Sequence, residues 1–250
     1  MKNVFRFLFC CAMLMTANET TAQIKKKVVV KKATSTSKVT KARLPIKRTT
    51  TTKIIDNSIK VKITTDSGVI VVKLYDSTPL HRDNFAKLVK AGFYDSLLFH
   101  RVISNFMIQG GDPNSKYAQA GVMLGAGGGD MERIPAEFKP SLFHKKGTLC
   151  AARDGNPEKA SSACQFYLVQ GNKLTDDQLD GLDMQRTVKY TPEQRLAYKT
   201  IGGTPFLDMN YTVFGEVIKG LNVIDKIASV QKGQADRPVS DVRMKMEVIK

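Results

Sequence analysis

The stretch FHRVISNFMIQGGDP, residues 99–113, sets an arginine, Arg101, and an amide, Gln109, among aromatic and aliphatic neighbours and ends on two glycines and a proline. Desolvating a guanidinium is costly unless it meets a carboxylate or has a ligand to polarise. Arg101 therefore either bridges to an acid within a strand pair or faces a ligand as a fixed hydrogen-bond donor, and side-chain chemistry alone leaves both open. Other chemistries are easier to set aside. His81, His100 and His144 are far apart and lack partners at metal-ligand spacing, so neither a zinc site nor any other cofactor is expected. Ser161, Ser162 and Cys164 have no evident His and Asp set with them, which argues against a hydrolase. GAGGGD at 125–130 lacks the Lys-Ser/Thr of a phosphate loop and opens no helix, so it reads as a surface loop.

The elements that must position Arg101 and Gln109 are mostly short strands. IKVKITT alternates apolar and charged residues, Asp66-Ser67-Gly68 supplies a turn, and VIVVKLY resumes the pattern, which predicts a β-hairpin. Thr78 before Pro79 offers a helix cap and a first-turn proline, Leu80, Phe85, Leu88 and Val89 an apolar face, and Gly92 a stop. Apolar runs then recur at 98–103, 106–109, 147–152, 165–169 and 212–217, separated by Gly, Pro and Asn clusters, as in an all-β barrel or sandwich. Leu221, Ile224, Ile227 and Ala228 have helical spacing, and Val242, Met244, Met246 and Val248 alternate as a last strand. The segment at about 172–204 breaks the pattern: it is polar, rich in helix formers, and has Thr175 and Thr191 as caps, which predicts a helical insertion between two strands. Cys150 and Cys164 fall on neighbouring strands, where either a disulfide or two free thiols fits the spacing.

The N-terminal part differs in character. Lys2 and Arg6 precede an apolar run at 7–15 and then small polar residues, the layout of a secretory signal peptide cleaved after Ala22 and too short to span a bilayer. Cys10 and Cys11 raise the rival of a lipoprotein anchor, but Phe9 is a poor small-residue neighbour. Residues 23–58 carry eleven Lys and Arg against Asp56 alone, so most of the net charge of +16 sits there. Such a block reads as a disordered basic arm, and any partner it has is an anionic envelope surface. Nucleic acid fits poorly, because no aromatic residues interleave with the charges. Residues 59–250 form the globular domain, of a chain expected to be a monomer, exported, with the periplasm as the expected compartment.

The stretch at 99–113 resembles the signature segment of the cyclophilins, with aromatic, basic, amide and glycine positions fixed together. IPAEF at 134–138, GTLCAAR at 147–153, SACQFYLV at 162–169 and FLDMNYTVFGEV at 206–217 resemble the family's successive blocks, closest to bacterial exported members. The resemblance implies a mainly β fold, a closed antiparallel eight-stranded barrel capped by two helices, and peptidyl-prolyl cis-trans isomerase activity on exported or unfolded proteins. It implies that Arg101 donates to the prolyl nitrogen, that Gln109 orients Arg101 or holds a substrate carbonyl, and that His100 is the neighbouring site histidine. Phe106, Met107, Tyr167 and Leu207 match the proline pocket, Ala152 and Arg153 the groove for the substrate backbone, and Gln165 a second groove amide. Tyr167 stands where the family usually has phenylalanine, Phe206 where many eukaryotic members have tryptophan, Tyr211 where they have histidine, and Arg153 where they have asparagine. The changes at Phe206 and Tyr211 imply weak cyclosporin binding. The competing expectation is a non-catalytic chaperone or assembly module that uses the same pocket to hold proline segments.

Overall fold

The computed structural model describes residues 58–187 and 189–249. The expected leader at 1–22 and, but for Ser58, the basic arm at 23–58 lie outside the described residues. Eight strands form one antiparallel sheet: β1 Lys60–Thr65, β2 Gly68–Leu74, β3 Arg101–Ile103, β4 Met107–Gly110, β5 Thr148–Ala151, β6 Phe166–Val169, β7 Val213–Lys219 and β8 Met244–Ile249. Their order across the sheet is β3-β4-β6-β5-β7-β2-β1-β8. The sheet curls into a half-barrel and does not close as expected. Its edges β3 and β8 share no ladder. They approach through a bridge of Leu98 with Arg243 and through Phe99 N–H donating to Val242 O at 2.9 Å. The segment leading into β3 runs beside the start of β8, with Ser96 N–H donating to Met244 O and Met244 N–H to Leu97 O, both at 2.9 Å, while β3 itself keeps only three residues.

Alternation explains the core. Val61 and Ile63 of β1, Ile70, Val72 and Leu74 of β2, and Met244 and Met246 of β8 are all buried, and each strand presents every second side chain to one face. Inside the curl, Phe85, Tyr94, Phe166 and Phe214 meet edge to face, with Phe85 5.5 Å from Phe166 and 5.4 Å from Phe214 between ring centroids. Such contacts add about 0.5–1.5 kcal/mol per pair beyond burial. Two helices cover the sheet as expected: α1, Pro79–Lys90, lies against β7 and β8, and α4, Leu221–Ala228, against β2, β3 and β4. Leu80 and Leu221 do not belong to the buried faces, which are His81, Phe85, Ala86, Leu88 and Val89 in α1 and Val223, Ile224, Ile227 and Ala228 in α4.

The insertion forms two more helices, α2 Asp176–Met184 and α3 Pro192–Thr200. Each begins with a reciprocal capping box, Thr175 with Gln178 and Thr191 with Gln194. Its own small core is Leu179, Tyr190 and Tyr198. The stem is stitched to the sheet by Gly203 N–H donating to Asn172 O at 2.9 Å and Thr204 N–H to His144 O at 2.8 Å. A side chain at Gly203 would place its Cβ 2.2 Å from His144 O, so this approach requires glycine.

The start of α1 departs from its sequence-based expectation. Thr78 makes no side-chain cap; the Glu137 carboxylate accepts instead from Leu80 N–H at 3.2 Å and His81 N–H at 3.0 Å. It also meets His81 Nδ1 at 2.7 Å, and His81 Nε2 meets Ser161 Oγ at 2.9 Å. Ser161 thus does have a histidine and an acid beside it, against expectation. Yet His81 and Ser161 are 2 % and 1 % exposed, so no substrate reaches them and the trio is a brace. Burial holds the His81 imidazole below its usual range although Glu137 pulls it upward. The neutral ring donates to Glu137 and accepts from Ser161. Glu137→Ala removes the acceptor shared by a helix terminus and a buried imidazole. It should lower stability by about 2–3 kcal/mol in urea unfolding, and a change below about 0.5 kcal/mol would show that water replaces the carboxylate without cost.

Candidate active site

The outer face of β3, β4, β6 and β5 carries the residues singled out above. Pairing register places Arg101 opposite Gln109, Gln109 opposite Tyr167, and Tyr167 opposite Cys150, a row across four strands. Their chain neighbours Val102, Ile108, Phe166 and Leu149 point the other way into the core. This alternation corrects the expectation that Arg101 is buried, since its own side chain is 43 % exposed. It is held on two sides: Nη1 donates to Gln109 Oε1 at 3.3 Å, and Nε stands 3.8 Å from the Asp236 carboxylate.

A directed chain of hydrogen bonds continues from there. A guanidinium can only donate, so Gln109 presents Oε1 to Arg101 and its Nε2 donates to Gln165 Oε1 at 3.0 Å. Gln165 Nε2 then donates to Gly125 O and Gly127 O, both at 2.9 Å. Donor-only arginine at one end and acceptor-only carbonyls at the other set the orientation of both amides.

Two cavities flank this chain. The smaller, about 90 Å³, is lined by Arg101, Phe106, Met107, Gln109, Ala152, Arg153, Tyr167, Leu207 and Tyr211. Its floor is apolar and buried, with Met107 2 %, Tyr167 4 %, Ala152 8 % and Leu207 9 % exposed. The larger, about 360 Å³, shares Gln109, Ala152 and Arg153 with it and adds Gln165, Met131, Arg133, Asp154, Ser162 and the loop at 125–129. That loop, read from the sequence as surface, is a wall of the site. Gly128 has φ +80° and would place a Cβ 2.4 Å from Cys164 Sγ, so the loop passes where a side chain would not fit. The density of glycines was the signal for this close approach, and the absent Lys-Ser/Thr excluded only phosphate. Arg133 pairs with Asp154 at the rim, Nη2 to Oδ2 at 2.6 Å.

The remaining expected residues fall around these cavities. Phe206 is 56 % exposed and packs on Phe106, ring centroids 5.6 Å apart, at the rim of the smaller cavity and outside its lining. Tyr211 lies under the Arg153 guanidinium at 4.6 Å and edge-on to Tyr167 at 6.0 Å. Arg153 is further tied to Asn210 O at 2.9 Å. Tyr167 turns its hydroxyl away from the cavity, to His144 Nε2 at 3.0 Å. Cys150 and Cys164 are both buried free thiols. They belong to different clusters, one behind the site and one in the main core, which explains why they do not pair.

His100 lines neither cavity. It is 2 % exposed and packs beside the glycine loop, where a side chain at Gly125 would place its Cβ 3.7 Å from His100 Nε2. Neither ring nitrogen has a hydrogen-bond partner among the described residues. Burial, only partly offset by the charge of Asp112, pushes its pKa down from 6.5 to about 4. Protonation therefore favours the unfolded chain. The His100 contribution to stability is complete above about pH 6.5 and is lost as pH falls towards 4, by up to roughly 3 kcal/mol. His100→Phe should flatten this acid slope, measured as urea midpoints at neutral and acid pH. The same slope in variant and parent would mean that the imidazole takes up its proton in the folded state at no cost.

The geometry can now be compared with known proteins. The family described as cyclophilin type peptidyl-prolyl cis-trans isomerase/CLD matches residues 60–248. A Staphylococcus saprophyticus protein whose name places it among the peptidyl-prolyl cis-trans isomerases is 35% identical over 175 residues, covering 68% of this chain and 80% of that protein. A cyclophilin-type isomerase of Cryptosporidium parvum superimposes with a TM-score of 0.56 at 21% identity, over 77% of this chain and 98% of its own. The same Cryptosporidium protein, solved in the presence of the dipeptide Ala-Pro, gives a TM-score of 0.55 at 21% identity, covering 76% and 99%. The matched residues, the similar relative and the shared fold agree: the chain belongs to the cyclophilin-type peptidyl-prolyl cis-trans isomerases.

Proposed function

We propose that the smaller cavity grips the proline ring and that Arg101 stabilises the twisted X-Pro amide. The observation that carries this reading is the placement of a guanidinium, tied to Gln109 at 3.3 Å, at the mouth of a small apolar cavity floored by Met107, Tyr167 and Leu207. Rotation about a prolyl bond is slow, about 10–100 s, because it breaks amide resonance across a barrier near 20 kcal/mol. No covalent bond forms or breaks, so a catalyst has only to favour the twisted state, in which the nitrogen regains its lone pair. A hydrogen-bond donor near that nitrogen, present before the substrate arrives, does this at no reorganisation cost. A turnover of roughly 10–1000 per second needs the barrier lowered by about 3–6 kcal/mol, within reach of one charged donor and a dry pocket. Gln109 and Gln165 hold Arg101 in place and offer amide groups to the substrate backbone, which would run over Ala152 and Arg153 into the larger cavity. His100, buried beside the glycine loop and outside the lining of both cavities, touches no substrate.

The substrates we infer are proline-containing segments of exported or unfolded proteins, since the leader-like residues 1–22 and the blocks resembling bacterial exported cyclophilins point to the cell envelope, with the periplasm as the compartment. The arm at 23–58, with eleven cationic side chains, would hold the enzyme near an anionic envelope surface by charge alone. A chain beginning at Asn57 should keep full turnover on a proline tetrapeptide and lose only salt-sensitive adsorption to anionic vesicles; a turnover falling severalfold would mean the arm contributes to the site.

The decisive assay compares the parent with Arg101→Ala on an Ala-Pro tetrapeptide. Turnover should fall by about a hundredfold or more, corresponding to about 3 kcal/mol of lost transition-state stabilisation, while peptide affinity changes much less. Equal rates in both proteins would remove Arg101 from the reaction, and no turnover in either would leave the alternative of a proline-binding chaperone without catalysis.

A further inference from the structure

We propose that Tyr198, in helix α3 of the insertion, is a positioning residue of the proline pocket: it acts through Asp208 and His144 on the hydroxyl of Tyr167, so that the insertion sets the pocket wall. The inference rests on the reading of the smaller cavity as the proline site.

The contacts form one unbroken line. Tyr198 Oη donates to Asp208 Oδ2 at 2.6 Å. Asp208 Oδ1 accepts from the His144 backbone N–H at 2.8 Å and faces His144 Nδ1 at 2.7 Å. His144 Nε2 meets Tyr167 Oη at 3.0 Å, with the two rings within 12° of parallel. Every member is buried: Tyr198 and His144 are 0 %, Tyr167 4 % and Asp208 5 % exposed. A carboxylate only accepts, so His144 must carry a proton on Nδ1, and Nε2 is left facing the Tyr167 hydroxyl. Burial keeps both tyrosines protonated, their pKa values far above the usual range. In such a dry place no water replaces a lost contact, so removing the Tyr198 hydroxyl leaves Asp208 Oδ2 without its donor.

The line is anchored at both ends. The Tyr198 ring packs edge-on against Phe143 at 5.3 Å and Tyr190 at 5.6 Å, the small core of the insertion. At the other end, Tyr167 and Leu207 both line the smaller cavity, and Asp208 directly follows Leu207. Asp208 thus ties two walls of the pocket to one helix. The tyrosine at 167, a departure from the family pattern, is here the connection that a phenylalanine could not make.

The Tyr167 ring would touch the proline in the planar and twisted states alike, so misplacing it weakens uniform binding: KM rises and kcat holds. Tyr198→Phe keeps the packed ring and deletes only the hydroxyl. With an Ala-Pro tetrapeptide it should raise KM about three- to tenfold with kcat within about twofold. Tyr167→Phe should do the same, and the double variant should be no worse than the more affected single one, because both cut one line. The same cycle on tetrapeptide affinity by calorimetry reads the coupling even in a protein that binds without turning over, so failure of the isomerase reading is seen separately. Unchanged KM and affinity in Tyr198→Phe, whatever its stability, would overturn the proposal. So would single effects that multiply in the double variant. Should Tyr198→Phe fail to fold, Tyr167→Phe alone decides: parental affinity in it would show that the hydroxyl anchors nothing.

Discussion

The site depends on the register of three strand pairings, β3 with β4, β4 with β6 and β6 with β5. A slip of one residue in any of them would turn every side chain of that strand to the other face. Because Arg101, Gln109, Tyr167 and Cys150 lie opposite one another in sequence across those strands, the slip would send Arg101 or Gln109 into a hydrocarbon core and bring Val102 or Ile108 out. The cost of burying a guanidinium among aromatic rings enforces the register that keeps Arg101 on the outer face. The core aromatics Phe85, Phe99, Phe166 and Phe214 and the outer row are two faces of one constraint.

Given that row, the polar groups behind it have little freedom. Arg101 can only donate and the carbonyls of Gly125 and Gly127 can only accept, so Gln109 and Gln165 between them each have one orientation that satisfies both neighbours. Donors then point consistently away from Arg101 toward the glycine loop, and the loop holds the far end of the chain. Preorganisation of this kind matters for a reaction in which nothing covalent changes, because the only lever is the relative energy of planar and twisted amide.

The three histidines show how one residue type takes its role from its surroundings. His81 sits between Glu137 and Ser161 as a neutral brace, with burial outweighing the carboxylate. His100 is buried with no hydrogen-bond partner for its ring among the described residues and is pushed well into the acid range. For His144 burial also works against the charged ring, but the Cys150 sulfur and the Asp208 carboxylate outweigh it and raise its pKa to about 9. None lies in the lining of either cavity, and two of them connect segments that the chain keeps far apart.

The sequence by itself determined the elements and the family: alternation marked the strands, Thr175 and Thr191 marked caps of a helical insertion, and FHRVISNFMIQGGDP carried the family signature. These are local signals, set by pleat, helical period and backbone capping within a few residues. What only the tertiary structure decided are contacts between distant positions. Glu137 replaced Thr78 as the cap of α1 from 56 residues away in its bond to His81, and Ser161 met His81 across 80. Gln109 reached Gln165 across 56 residues, and His144 reached Asp208 across 64. Periodicity assigns a residue to a face but does not say which face of another element it will meet. Arg101 therefore read as buried from its apolar neighbours, the glycine loop, a surface loop exposed at Gly125, Ala126 and Gly129, did not read as a cavity wall, and the barrel read as closed. Each was settled by where curvature of the sheet brought separate segments together, a property of the whole chain that no short window of it contains.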